Sequence, residues 1–142
     1  CSSQIRNFAA TMVNPFQPGD IKVFTHVVTD HDIAAFETGI VHQVYSTFCL
    51  TRDAEWSTRL FVLEMKEADE EGIGTFIEVI HRSPALVNST VNFFATLDAV
   101  NGHEVICSFV AKCGDRIIAE GKTGQKILKK EKLERIMSSI QK

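Results

Sequence analysis

At 142 residues, 44% hydrophobic and 23% charged, the chain is long enough for one domain with a single core, spanning 1–142, and too short for two comfortable ones. A formal net charge of -3 provides no field to recruit nucleic acid, although the closing "KILKKEKLERIMSSIQK" is locally basic. No apolar run approaches the roughly 20 residues that cross a bilayer, so neither a membrane partner nor a signal peptide is expected.

Cys1, Cys49, Cys107 and Cys113 form no C-x-x-C pair and have no histidine at zinc-finger spacing. Neither a metal site nor a disulfide framework is indicated, and reduced thiols in a cytoplasmic protein fit that pattern. A chain beginning at Cys1 could be the mature end of a lipid-anchored protein, but a trimmed terminus is the simpler explanation.

Residues 1–20 lack a clean period, and "NPFQPGD" carries two of the three prolines and a glycine, so an irregular lead-in ends there in a turn. "IKVFTHVVT" is β-branched and aromatic enough for a strand. Thr29 followed by Asp32 has the form of a capping box opening a short helix in "DHDIAAF", with Ile33 and Phe36 facing inward. A longer, mainly helical stretch runs from about Val44 to Met65, where Phe48, Trp56, Leu60 and Leu63 recur at helical spacing. The acidic run "KEADEEG" beyond it reads as a solvated loop.

From Ile73 onward the period becomes two. Strands are expected at about 73–83, 89–100, 103–113 and 116–128, separated by "SPALVN", Asn101-Gly102 and Gly114-Asp115. Asn101-Gly102 is the strongest hairpin signal, because both residues tolerate the positive φ of a type I′ turn. The order strand, helix, four strands gives an α+β fold in which an antiparallel sheet wraps one long helix. Such a sheet leaves an outer strand exposed, and an exposed edge invites pairing with a second copy, so a homodimer is expected. Alternatively a carboxy-terminal helix over 129–142, with Leu133, Ile136, Met137 and Ile140 on one side, folds back over apolar surface.

The segment "GIGTFIEVIHRSPA" carries the sharpest functional signal. Alternation puts Ile73, Thr75, Ile77, Val79 and His81 on one face, and Phe76, Glu78, Ile80 and Arg82 on the other. His81 thus closes an uncharged face just before Ser83 and Pro84 break the strand, either as a satisfied core histidine or as an imidazole beside an apolar ligand cavity. Thr47 and Glu55, eight residues apart around the long helix, supply a hydroxyl and a carboxylate. With an imidazole these can position and deprotonate water or attack a carbonyl, the minimum for acyl transfer.

Uninterrupted helix would separate Thr47 from Glu55 by roughly 12 Å, so Thr47 must stand at or before the helix start with its side chain turned toward the strand. Glu55 also has a plain reading as a surface partner of Arg52 or Arg59. His42, with Tyr45 nearby in "TGIVHQVYST", is a second candidate, while His26, His31 and His103 read as strand-edge or turn residues. No phosphate-binding loop, G-x-S-x-G elbow or H-E-x-x-H occurs.

In "FTHVVTDHDIAAF", Thr47, Glu55 and "GTFIEVIHRSPA", over about residues 16–128, the chain resembles the hot-dog-fold acyl-CoA thioesterases of the fluoroacetyl-CoA thioesterase type. In that family a threonine, a glutamate in the long helix and a histidine in the following strand form the active site, with a glycine early in that strand, here Gly74. The resemblance implies a hot-dog fold, acyl-CoA hydrolysis, a homodimer or dimer of dimers, no metal, and no cofactor beyond the coenzyme A carried by the substrate. It makes His81 the general base, Glu55 the nucleophile or water-orienting group and Thr47 a hydrogen-bonding partner, with Gly74, His42 and Tyr45 at the substrate. The chain departs from the family at Phe48, where proline is usual, and in "FETGIVHQVYS", so substrate specificity does not carry over.

Two other readings stay open. Hot-dog hydratases and dehydratases act on acyl thioesters with an aspartate-histidine pair, and "PGDIKVFTHVVTDHDIAAF" is similar to their entry segment, although "TGIVHQ" keeps only a glycine and His42 of their usual cluster. The other is a non-catalytic module that binds an acyl thioester, since a scaffold can keep its cavity after losing its chemistry.

Overall fold

A computed structural model describes residues 11–36 and 38–141; Cys1 and the first half of the lead-in lie outside them. In chain order come β1 (Ile21–Val27), a single 3-10 turn (Asp30–Asp32), β2 (Ile33–Phe36), β3 (Gly39–Tyr45) and α1 (Thr47–Met65). Next come β4 (Glu70–His81), β5 (Thr90–Asn101), β6 (Glu104–Cys113), β7 (Arg116–Lys129) and α2 (Lys130–Ile140). Five strands form one antiparallel sheet in the order β1-β5-β6-β7-β4, while β2 and β3 make a separate hairpin.

Helix α1 starts where Ser46 caps it, its hydroxyl oxygen accepting from the Cys49 N–H at 3.0 Å. Leu50, Ala54, Phe61 and Met65 recur at helical spacing and are fully buried against the sheet. Opposite them, alternate residues of β5 (Val91, Phe93, Ala95, Leu97) and β6 (Val105, Cys107, Phe109, Ala111) point inward. The core divides along α1 into a cluster under its first half, around Leu50, Phe93 and Phe109, and one under its second half, around Phe61, Leu97 and Ile127. Between the two lies a buried polar seam in which Thr123 donates to Thr58 at 2.8 Å. This is an α+β hot-dog arrangement: an antiparallel sheet packed against one long central helix.

Several expectations need correction. The Thr29–Asp32 capping box is present, but it opens one turn only; Ile33 enters β2, and Phe36 is exposed instead of facing inward. The helix starts at Thr47 because Val44 and Tyr45 are held in β3. The acidic run is not simply solvated: Glu70 is buried, accepting from the N–H groups of Met12 at 3.1 Å and Glu67 at 2.8 Å, and Glu71 pairs with Arg59. The β5–β6 turn is centred on Gly102 and His103, and only Gly102 has positive φ (64°), as a type II′ turn demands in place of type I′. In α2 only Leu133 is buried; Ile136, Met137 and Ile140 stay exposed.

The alternation expected along β4 also fails, for a definite reason. Register against β7 slips between Gly74 and Phe76, leaving Thr75 as a β-bulge. Before the slip Gly72 and Gly74 face α1, where added Cβ atoms would meet Val62 and Glu55. After it Val79 packs into the core beneath α1 and His81 reaches Thr47, while Phe76 lies against Gly124 on the outer face.

Candidate active site

Thr47 is the first residue of α1 after its cap, in the turn whose backbone N–H groups lack helical partners. Its Oγ1 lies 2.9 Å from Nδ1 of His81, the last residue of β4. The strand stops there because the chain is pinned beyond it: Ser83 Oγ donates to the Ile117 carbonyl at 3.1 Å, and Arg116 donates to Ser83 Oγ at 2.8 Å and to the Pro84 carbonyl. The other ring nitrogen of His81, Nε2, is buried with no partner. A buried polar atom without a protein partner costs about 1–3 kcal/mol, so a hydrogen bond made to Nε2 would be stabilising. Burial pushes the imidazole pKa below its ordinary 6.5, with a backbone contact at Ser83 opposing the effect.

Glu55 lies two turns further along α1, over Gly74; its Oε2 would stand 2.6 Å from a Cβ at that position. Among the described residues no hydrogen bond joins the Glu55 carboxylate to Thr47 or His81. The constellation therefore comes in two halves, Thr47 with His81 and Glu55 with Gly74, on one helix and one strand.

Of the remaining expected site residues, His42 is exposed on β3 opposite Ala34. Tyr45 is only 1% exposed, and its hydroxyl donates to Asp53 Oδ2 at 2.5 Å, which directs it into the protein. Asp53 belongs to a network absent from the sequence-based expectations. His26 Nε2 lies 2.8 Å from Asp32 Oδ2, and Arg52 donates at 3.0 Å both to Asp32 Oδ1 and to Asp53 Oδ2. Burial raises the Asp32 carboxyl pKa, but hydrogen bonds from the Thr29 N–H, His26, Arg52 and the Thr29 hydroxyl outweigh it and hold the group down at about 2. Burial and then Asp53 push the Tyr45 phenol upward, so it stays a donor.

His26, Asp32 and Asp53 bring three ligand atoms within 4.8 Å of one another. Arg52 already compensates both carboxylates, so a cation would have to displace a guanidinium; the cluster is a closed ion-pair network joining β1, the turn before β2 and α1. The Asp32 carbonyl also accepts from the Ser46 N–H at 2.8 Å, which ties this network to the cap beside Thr47. The Thr29–Asp32 cap is the only local signal of it; the other partners are scattered over 26, 45, 52 and 53. Cys49, Cys107 and Cys113 are free thiols, and burial, then Asp98, pushes Cys107 up to about 12.

Thr47 separates two concavities. On one side a cavity of about 600 Å³ lies between β2 and the first turn of α1, walled by Ile33, Ala34, Ala35, Phe36 and Phe48. On the other a shallower depression of about 310 Å³ is lined by Thr47, His81, Arg82, Ser83 and Pro84.

A family profile described as fluoroacetyl-CoA-specific thioesterase, FlK, matches residues 28–131. A search of the curated proteins found no match. Among solved structures, a hypothetical protein of Thermus thermophilus, described as a thioesterase superfamily member, is 32% identical with a TM-score of 0.85, over 90% of this chain and 95% of that one. The fluoroacetyl-CoA thioesterase FlK itself aligns at 21% identity and TM-score 0.79, over 89% and 98% of the two chains. A hot-dog-like protein from Thermanaerovibrio acidaminovorans gives 19% identity and TM-score 0.79, over 89% and 95%. At these last two identities the likeness is one of fold.

Proposed function

The chain belongs to the fluoroacetyl-CoA-specific thioesterase family of hot-dog proteins, and from that premise we propose that it hydrolyses an acyl-CoA thioester to free acid and coenzyme A using Thr47, Glu55 and His81. The observation that carries the proposal is the 2.9 Å contact between Thr47 Oγ1 and His81 Nδ1, with the opposite ring nitrogen buried and unpartnered. A histidine held through one nitrogen has its other nitrogen fixed in direction, which is what a general base requires. Desolvation favours the neutral ring, so it enters the reaction able to accept a proton.

In this reading the thioester carbonyl lies between the start of α1 and β4. The carbonyl oxygen, as it gains charge, is met by backbone N–H groups of the first turn of α1. His81 removes the proton of the attacking water, which Glu55 orients; the C–S bond then breaks, and the thiolate of coenzyme A leaves and takes up a proton. In the alternative route Glu55 swings from its place over Gly74 to attack the carbonyl and expel the thiolate, and water deprotonated by His81 then hydrolyses the resulting acyl-Glu55 anhydride to free acid. Gly74 serves by leaving room for the carboxylate.

The same reading includes assembly and setting. β4 is an edge strand with Ile73, Phe76 and Ile80 exposed, and a two-fold partner pairing there would continue the sheet and cover them. A homodimer through β4, able to pair again, is the proposed assembly. No helix among the described residues is long and apolar enough to cross a membrane. The free thiols support a cytoplasmic setting.

Thiol release from a panel of acyl-CoA esters, with His81→Ala and Glu55→Ala as folded comparisons, tests the proposal. Release by the wild type that both substitutions abolish is expected. Saturable binding without thiol release from any ester would overturn it.

A further inference from the structure

Thr47 sits between the depression that holds His81 and the larger cavity beneath β2, so a thioester whose carbonyl is at Thr47 has that cavity directly beside its acyl carbon. The volumes are unequal to a two-carbon substrate. Such an acyl group displaces roughly two waters' worth of space, about 60 Å³, against about 600 Å³ available. The wall is mainly apolar, with Ile33, Ala34 and Ala35 from β2 and the rings of Phe36 and Phe48, while Asp30, His31 and Ser46 contribute its polar part.

Those two rings are 70% and 80% exposed. Large aromatic side chains left in water beside a preformed cavity are what an apolar ligand covers on binding. Phe48 comes directly after Thr47, so its ring and the hydrogen bond to His81 diverge from neighbouring positions of one helix turn. Neither His81 nor Glu55 lines the large cavity, which fits a compartment that holds the non-reacting part of the substrate.

We propose that the cavity between β2 and the start of α1 is an acyl-chain compartment, and that the preferred substrates are thioesters of bulky apolar acyl groups instead of two-carbon ones. The inference rests on the thioesterase reading of the same site. Each methylene moved from water into the compartment is worth about 0.8 kcal/mol, a gain of about fourfold in kcat/KM until the space is filled.

The test measures kcat/KM of the wild type for acetyl-, fluoroacetyl-, butanoyl-, hexanoyl-, octanoyl- and phenylacetyl-CoA, and repeats the series with Ala34→Trp and with Phe48→Ala. A rise of at least tenfold from acetyl to hexanoyl is expected. Ala34→Trp, which fills the compartment, should cost octanoyl-CoA at least ten times more than acetyl-CoA. Phe48→Ala changes an exposed side chain, so folding is not at stake, and it should flatten the rise. Highest kcat/KM for acetyl- or fluoroacetyl-CoA, or equal losses for short and long esters in both variants, overturns the compartment while leaving the thioesterase reading intact. No thiol release from any ester overturns the thioesterase reading, and the compartment with it.

Discussion

The carboxylate of Glu55 occupies the space a side chain at Gly74 would need: Oε2 stands 2.6 Å from the position of a Cβ there. Gly74→Ala should therefore displace a flexible carboxylate at small cost in stability while lowering kcat/KM about 10- to 100-fold if Glu55 acts as proposed, through misplacement of its carboxylate. Gly72→Ala is the contrast. Its Cβ would meet Val62 Cγ1 at 2.7 Å inside the core, so about 1–3 kcal/mol of stability should be lost to overpacking. Thermal unfolding and steady-state kinetics on both variants separate the two effects; equal kinetic losses would dissociate Glu55 from catalysis.

On the proposed mechanism the pH dependence of thioester hydrolysis is set by His81. Because burial lowers its pKa, the neutral base persists below the ordinary pH 6.5, and the acid limb of kcat/KM should fall below that value. His81→Ala should lower kcat about 10²- to 10⁴-fold. Thr47→Ala, which removes only the partner of Nδ1, should cost less. An acid limb at or above pH 6.5 would contradict the desolvated imidazole.

Asp32 sets a separate, structural pH dependence. With its pKa held near 2 in the folded protein against 3.8 ordinarily, it contributes about 2 kcal/mol. The sign is that of a depressed carboxyl: the contribution is full above pH 3.8 and is lost as pH falls through about 2. Asp32→Asn should be less stable at neutral pH and show a flatter loss of stability in acid. Urea unfolding at pH 7 and pH 3 measures both.

If β4 pairs with a second copy, Ile73→Lys combined with Ile80→Lys should leave a chain of 15.8 kDa in sedimentation, where the wild type has twice that mass. A wild type that sediments as a monomer would remove the dimer reading.

The sequence makes legible what local chemistry controls. Strands β5 to β7 show in their two-residue period and in the turns at Gly102 and Gly114, and α1 shows as a helix ending at Met65, although Phe48, Trp56 and Leu63, from which it is read, are exposed and its buried face is Leu50, Ala54, Phe61 and Met65. The segment between Thr29 and Tyr45 misleads because a true cap says only that a turn starts; whether a helix continues depends on the residues after that turn and their partners. Here Asp32 is drawn to His26 and Arg52, and the chain leaves into a hairpin. Glu70 reads as solvated because its hydrogen-bond donors, Met12 and Glu67, are set by tertiary packing and a tight turn, which composition does not encode. Thr47 and His81 can be named because the family resemblance and the break at Pro84 isolate them. The Asp32–Arg52–Asp53 network cannot, since no periodicity relates its members.

Gly74 and His81 are an odd number of positions apart, seven, and by simple alternation would look in opposite directions. The single extra residue at Thr75 shifts the strand's phase, so that even-numbered positions meet the helix before it and odd-numbered ones after it. Spacing in this strand is thus a count in two frames. A deletion of Thr75 alone would preserve every named residue and nearly all of the sequence identity, yet turn either the glycine or the histidine away from α1. A relative that keeps all three polar residues but lacks the additional position would carry the motif without the site.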